Sequence, residues 1–311
     1  MEGVILVAGE ALVDLVPQDG ALGAHLGGGP FNAARTIGRL EQPVAYLGRL
    51  STDRFGRAHE AQLAEDGVRL DSVVRTEEPT TLALADVDAD GVARYRFYTA
   101  GTAAAGLTPD AALDAIPPDV TAVHAGTLGL VLEPTAAALE AALEHLAHRA
   151  LVCIDPNCRP SAIPDAAAYR RRLDRVLARA HVVKVSEEDL AFLQPARAPV
   201  EGVRALLDRG PSVGLLTRGP GGALVITRAG EAAVPSPPTK VVDTIGAGDA
   251  FGGGFLAWWH AHGLDRDDLG RIDAAAEATA FACLVAARTC ARPGAQPPRL
   301  AELGGRLEPA Q

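Results

Sequence analysis

Short, uninterrupted apolar runs alternate with stretches of helical spacing along most of this chain, and that alternation restricts the fold more than any other feature. Val4–Ala8, 44–47, 122–125, Leu151–Asp155, 182–185 and Val213–Thr217 are the runs. A strand without a polar face has to be covered on both sides. Between the runs, 31–40, 58–66, 134–150, 166–180, Glu187–Leu193, 200–209 and 273–289 read as helices. Strands alternating with helices predict an α/β fold with a mostly parallel central sheet flanked by helices. Ligands of such sheets bind beyond the carboxyl ends of the strands. Two segments break the rhythm. The first is 82–87 with 92–98, joined by the hairpin signal Asp88-Ala-Asp-Gly91, an antiparallel appendage. The second is the hairpin-like pair Ala223–Thr227 and Glu231–Val234. The tail after Gly294 reads as loose.

A net charge of −10 and the lack of any Lys/Arg-rich run exclude an electrostatic nucleic-acid surface. The same field repels a polyanion such as ATP, which therefore needs a local site. The four cysteines show no CxxC spacing and sit among apolar neighbours, as buried free thiols do. The amino-terminal run lacks a basic flank and a cleavage site, and no apolar stretch approaches the ~20 residues of a membrane span. A reduced, cytoplasmic protein without membrane contact is expected.

The stretch DTIGAGDAFGGGFLAWWH, 243–260, is a costly helix, since each interior glycine loses roughly 1 kcal/mol against alanine. The spacing predicts a strand at 240–242, a turn at 243–248 and a helix from Asp249. Phe251, Phe255, Trp258, Trp259 and His262 would form one apolar face, with Gly252–Gly254 packed close against the last helix. A glycine-rich turn entering a helix leaves backbone N–H groups converging on one place, with the helix dipole behind them. A carboxylate beside that anion site suits phosphoryl transfer, which needs amides for developing charge and a base for the hydroxyl proton. Two alternatives stand: Asp249 merely complements the dipole, or Gly246, Gly248 and Gly252 form a dinucleotide fingerprint. The second requires a strand ending in an acid about 20 residues on, where 262–268 is a polar turn. No GxxxxGK[ST] occurs.

Other polar residues invite two readings each. Asn32 caps a helix or binds a ligand, and Asp14 is a solvated loop residue or accepts from two hydroxyls at once. Asp155, Asn157 and Arg159 bring an acid, an amide and a guanidinium together after a buried strand. Thr217-Arg-Gly-Pro-Gly-Gly222 is a glycine-rich turn at a strand end. Ser186-Glu-Glu-Asp189 is both a capping-box pattern and a source of oxygen ligands for a hard cation.

DTIGAGDAF resembles the C-terminal signature of the PfkB (ribokinase-like) carbohydrate kinases, and GGGPFNAARTIGRL, 27–40, resembles their N-terminal signature. The segments 155–159, 184–189 and 217–222 also fit in order, so the resemblance covers nearly the whole chain. It implies a single ribokinase-like domain over 1–311, with a small antiparallel β-lid at about 11–26 and 80–104. It further implies a sugar kinase using ATP and Mg²⁺. Asp249 would be the base, and the amides of Gly246, Ala247 and Gly248 the anion hole. Arg159 would neutralise phosphoryl charge or contact the acceptor. Asp14, Gly28, Gly29, Asn32, Asp155 and Asn157 fall at the sugar, with Phe97 or Tyr98 covering it. Lys184, Ser186, Thr217, Gly219 and Gly222 fall at the nucleotide. Ser186–Asp189 stands where the family has Asn-x-x-Glu and departs at both outer positions, so either Glu188 or Asp189 would organise Mg²⁺. Asp243, beside Ile245, marks a monovalent-cation (K⁺) site, and a homodimer through paired lids fits the same pattern.

The D-x-N-x-R segment, HAGTLGLVLEP and VVKVSEEDL resemble the fructokinase branch, which implies phosphorylation of fructose to fructose 6-phosphate. The alternatives are 2-keto-3-deoxygluconate kinase, ribokinase or nucleoside kinase, and more remotely an NADP-dependent dehydrogenase or a silent sugar binder. The keto-deoxygluconate branch places Tyr-Arg near the lid for the substrate carboxylate. Here Tyr98-Thr99 occupies that place, which leaves the carboxylate clamp missing, while an alignment shifted to Tyr95-Arg96 just upstream would restore it.

Overall fold

The computed structural model describes residues 3–18, 21–87, 93–305 and 307; the turn expected at Asp88–Gly91 lies outside them. The strands are β1 Val4–Ala8, β2 Leu12–Gln18, β3 Ala21–Gly27, β4 Val44–Ser51, β5 Val73–Thr76, β6 Leu82–Val87 and β7 Ala93–Tyr98, followed by β8 Val120–Gly126, β9 Leu151–Asp155, β10 Val182–Ser186, β11 Val213–Thr217, β12 Ala223–Thr227 and β13 Glu231–Val234. The helices are α1 Gly29–Arg39, α2 Arg54–Glu65, α3 Pro109–Asp114, α4 Thr135–Leu146, α5 Ala166–Leu177, α6 Glu187–Leu193, α7 Pro199–Leu207, α8 Ala247–Ala261 and α9 Ile272–Cys290.

Nine strands form the main sheet in the order β13-β12-β11-β10-β9-β8-β1-β4-β5. It is parallel from β11 to β5 and antiparallel only at the β12–β13 end. The continuous apolar runs have the reason expected of them. On β1, Ile5 and Val7 face a core with Phe31, Phe255 and Phe281 of α1, α8 and α9. Val4, Leu6 and Ala8 face a second core with Leu143, Leu173 and Val203 of α4, α5 and α7. The appendage is a separate four-stranded sheet, β3-β2-β6-β7, so the hairpin at 82–98 is completed by an amino-terminal pair.

Four expectations need correction. Residues 240–242 form no strand: the amides of Val242 and Asp243 donate to Cys290 O at the end of α9, and Val241 and Val242 are exposed. β5 and α3 have too few residues to show a period and were not foreseen. The segment after Gly294 is not loose over its described length: Arg35 donates to Ala295 O at 3.0 Å, and Leu300–Leu303 forms a 3-10 turn. Finally, α8 has no single apolar face. It is buried on all sides from Asp249 to His260, and His262 lies exposed with its ring stacked 3.8 Å from Trp258.

That burial explains the three glycines, each of which meets a different neighbour. A Cβ on Gly252 would sit 3.3 Å from the His124 ring of β8, and one on Gly254 would sit 3.2 Å from Val285 of α9. At Gly253 it would sit 2.8 Å from Thr36 Cβ and 2.9 Å from Ala33 O, so α1 and α8 cross almost backbone to backbone. Only Gly254 packs on the last helix, as expected of all three. Among the described residues the four cysteines are free, and no helix is long and apolar enough to cross a membrane.

Gly253→Ala separates two opposed effects. In an open helix the change gains about 1 kcal/mol, whereas overpacking a tight contact costs about 1–3 kcal/mol. With a backbone oxygen 2.9 Å away the clash wins. The urea midpoint of Gly253→Ala should fall; a raised midpoint would contradict this packing.

Candidate active site

Between the lid and the carboxyl ends of β1, β8 and β9 lies a cavity of about 220 Å³. Each wall follows from a local rule. Alternation along β7 turns Tyr95 and Phe97 inward, their rings 6.2 Å apart, and leaves Arg96 and Tyr98 on the opposite, exposed face. Tyr98, one of two aromatics expected over the ligand, is therefore outside the cavity. β2 contributes Leu12 and Asp14, the start of α1 contributes Gly28, Gly29 and Asn32, and the turn into α8 contributes Gly246, Gly248 and Asp249. Asn157 and Arg159 enter from the loop after β9. Thr127 and Asn157 carry positive φ (54° and 37°), and both line the cavity. Such strain in non-glycine residues collects at functional sites.

Asp249 and Asn32 meet here: Asn32 Nδ2 donates to Asp249 Oδ2 at 2.9 Å. Burial raises the Asp249 carboxyl above its ordinary range, while the Asn32 hydrogen bond and the charges of Lys184 and Arg159 pull it down. Asn32 lines the cavity, and its Oδ1 is buried with no partner among the described residues. Burial and the Asp249 charge push Asp14 up to about 6, against Arg159. Gly28 adopts φ +110° with Glu10 O 2.6 Å from where its Cβ would be, a conformation only glycine holds easily. A side chain on Gly29 would lie 2.5 Å from Thr127 Oγ1 and 3.3 Å from Asp249 Oδ1.

Gly246, in the left-handed region at φ +75°, opens α8 with no side-chain cap. Gly246 and Gly248 belong to the cavity wall, and neither amide has a backbone partner outside the helix among the described residues. The amide of Ala247 differs: it donates to Thr244 O at 3.2 Å, and Ala247 is not in the wall. Arg159 is exposed at the mouth, with its guanidinium also donating to the carbonyls of Asn157 and Cys158.

Other expected residues lie elsewhere. Asp155 is buried behind the cavity and pairs with Lys184 Nζ at 2.8 Å. Burial works against the Lys184 charge, but Asp155, Asp189 and Asp249 outweigh it and hold the ammonium ionised. Its Nζ lies 3.0 Å from the Cβ position of Gly248, directly under the first turn of α8. Ser186 and Thr217 pair across the ends of β10 and β11, beside an open turn with Gly219 and Gly222 at positive φ.

The residues expected around a divalent ion do not form a ready cage. Asp189 accepts from Ser186 N–H, Ser186 Oγ–H and Cys158 N–H, completing a capping box, while Glu188 is exposed. Asp243, expected instead at a monovalent-cation site, accepts from the amides of Ile245 and Gly294. Among the described residues no group of three or more His, Cys, Asp or Glu side chains could hold a metal. These donors do not fit direct Mg²⁺ ligation.

Glu10, Leu12, Tyr95, Thr127, Leu128, Thr244 and Ile245 complete the wall without having been foreseen as sugar-site residues. Tyr95 was findable, since it shares the alternation of Phe97. Glu10 carries no pattern in one sequence, because its burial comes from long-range packing, and Thr127 lies within HAGTLGLVLEP, a resemblance that gives it no individual role.

Residues 5–302 match the profile of the pfkB family carbohydrate kinases. A fructokinase of Rhizobium leguminosarum bv. trifolii is 34 % identical over 259 residues, covering 82 % of this chain and 79 % of the relative. The crystal structure of a fructokinase with bound ATP from Xylella fastidiosa superposes with a TM-score of 0.89 at 30 % identity, over 98 % of both chains. That of a Vibrio cholerae O395 fructokinase in a fructose-, ADP- and calcium-bound form gives 0.86 at 27 % identity, over 99 % of both.

Asn32→Ala removes the hydrogen bond that favours ionised Asp249. Carboxyl-carbon NMR should show Asp249 titrating at higher pH in the variant. An unchanged midpoint would mean that this contact does not control the group.

Proposed function

The chain belongs to the pfkB family of carbohydrate kinases, with the family's ribokinase-like α/β fold, and is a phosphotransferase acting on a sugar. On that premise we propose that it is an ATP-dependent fructokinase, one domain over 1–311 with the lid sheet inserted, that converts fructose to fructose 6-phosphate. The observation that carries this is Asp249: a buried carboxylate, oriented by Asn32, facing a polar cavity beside the amino-terminal amides of α8.

Fructose enters between the main sheet and the lid. Asp14 and the unpartnered Asn32 Oδ1 accept from its hydroxyls, and Phe97 and Tyr95 cover one face. Asp249 takes the proton of the primary hydroxyl, whose oxygen attacks the γ-phosphorus while the bond to the β-phosphate oxygen breaks and ADP departs. The Gly246 and Gly248 amides, at the positive end of α8, meet the transferring phosphoryl together with Arg159 at the mouth. Lys184 holds positive charge under the same turn. The open turn at Thr217–Gly222 is the shelf for ATP, whose phosphates bring the divalent ion with them.

The lid separates a neutral ketose from a sugar acid. Arg96, the one cation that a shifted alignment offers for a carboxylate, faces away from the cavity. The dehydrogenase alternative loses its third glycine, because Gly252 packs on His124 rather than on a ligand. Since β3 is an edge strand with Leu22 58 % exposed, pairing of lids in a dimer completes the proposal.

A panel of ketoses, aldoses, keto-acids and nucleosides in an ADP-release assay should give the highest kcat/KM for fructose; a better keto-acid or nucleoside would displace the assignment. Asp249→Asn should leave ATP and fructose binding nearly intact and lower turnover by at least ~10², and wild-type turnover in that variant would sink the base. Asp14 must be ionised to accept from two hydroxyls. With its carboxyl raised to about 6, fructose KM should rise as pH falls through that value, and Asp14→Asn should flatten the dependence. A pH-dependent KM that survives the substitution would assign it elsewhere.

A further inference from the structure

Glu10 follows β1 and is 1 % exposed at the floor of the cavity. Two backbone amides converge on its carboxyl: Gly129 N–H donates to Oε2 at 2.8 Å and Gly29 N–H to Oε1 at 3.3 Å. The amides belong to separate walls. Gly29 opens α1, three residues before Asn32, while Gly129 lies in the single 3-10 turn Thr127–Leu130 that follows β8. That turn begins badly for an L-residue, since Thr127 is β-branched and held at φ +54°. Its side chain is thereby brought into the cavity, against Gly29, and its hydroxyl makes no hydrogen bond among the described residues.

We propose that Glu10 is a positioning residue that braces this turn, and that Thr127, held in place by it, contacts a sugar hydroxyl and sets acceptor preference. The proposal rests on the cavity being the sugar site. One carboxyl spanning two walls fixes the distance between the base-bearing side, Gly29–Asn32–Asp249, and the sugar-facing hydroxyl of Thr127. A strained threonine there persists only if its surroundings over-determine it; the Gly129 tie and the Gly29 contact are that over-determination.

The charge of Glu10 matters to the same wall. Burial pushes its carboxyl up to about 8, with the Asp249 charge adding to the rise and the amides of Gly129 and Gly29 opposing it. Asp249 of α8 and the Tyr46 phenol of β4 face it, the phenol donating to Gly9 O at 2.8 Å. Asp14 of β2 and Arg159 line the same cavity. At neutral pH Glu10 is therefore mostly uncharged, and its ionisation adds a second negative charge beside the base.

The test uses whichever sugar the wild-type enzyme turns over fastest, so it does not depend on that sugar being fructose. An inert response to fructose would fault the substrate assignment alone. Glu10→Gln keeps one acceptor oxygen and cannot ionise. It should raise sugar KM about tenfold with ATP KM unchanged, speed amide exchange at 126–130, and abolish an alkaline decline of kcat/KM near pH 8. Thr127→Gly should hold or raise the melting temperature by relaxing φ while raising sugar KM about tenfold, and Thr127→Ser should restore the wild-type value. The proposal is overturned if Thr127→Gly binds sugar like the wild type. It is equally overturned if Glu10→Gln raises both KM values together or retains the alkaline decline.

Discussion

One hydrogen bond, from Asn32 Nδ2 to Asp249 Oδ2 at 2.9 Å, joins two helices whose partners stand 217 residues apart in the chain. Hydrogen bonds to charged groups are worth about 1.5–3 kcal/mol, but this one also sets a geometry. For Asn32 to reach Asp249, α1 and α8 have to cross nearly backbone to backbone. That requires Gly253 opposite Ala33 and Thr36, and Gly29 opposite the Asp249 carboxyl. The Gly246 turn is seated on Ala295, and Arg35 of α1 holds the Ala295 carbonyl. The carboxyl-terminal segment therefore bears on the site through the same pair of helices.

The site concentrates acids in a chain already at −10. Glu10, Asp14 and Asp249 border one small cavity, and burial raises all three. Burying carboxyls is unfavourable to folding, and here the penalty keeps only part of the negative charge expressed when a polyanionic donor approaches. The compensating positive features are all local: the α8 amino terminus, Arg159 at the mouth, and Lys184 beneath Gly248. Lys184 is one of only two lysines in the chain, and the Asp155 pair keeps it charged while fully buried.

Residues that report their environment through neighbours in sequence were legible before the structure. The two-faced burial of β1 was visible in Val4–Ala8 because no polar face interrupts it. The Gly246–Asp249 turn was visible because glycines and an acid in one helical turn admit few uses. Features set by contacts across the chain were not. The glycines at 252–254 were read as packing glycines, yet which surface each meets depends on three separate elements. Val241 and Val242 look like a strand, but the amides of Val242 and Asp243 are taken by the end of α9. Tyr98 and Tyr95 stand three residues apart on β7, an odd spacing that decides cavity against solvent. Asp155 looked like a ligand group, and its burial with Lys184 appears only in three dimensions. Glu10 left no trace in a single sequence, and Thr127 only its place inside HAGTLGLVLEP, which assigns it no role of its own.

The most direct measurement is a crystal structure with fructose and a non-hydrolysable ATP analogue bound together. The primary hydroxyl oxygen of C6 should lie about 2.6–3.2 Å from the Asp249 carboxylate, with the γ-phosphoryl mimic on its far side against the Gly246 and Gly248 amides. A sugar presenting another hydroxyl to Asp249, or a phosphoryl group away from the start of α8, would contradict this arrangement.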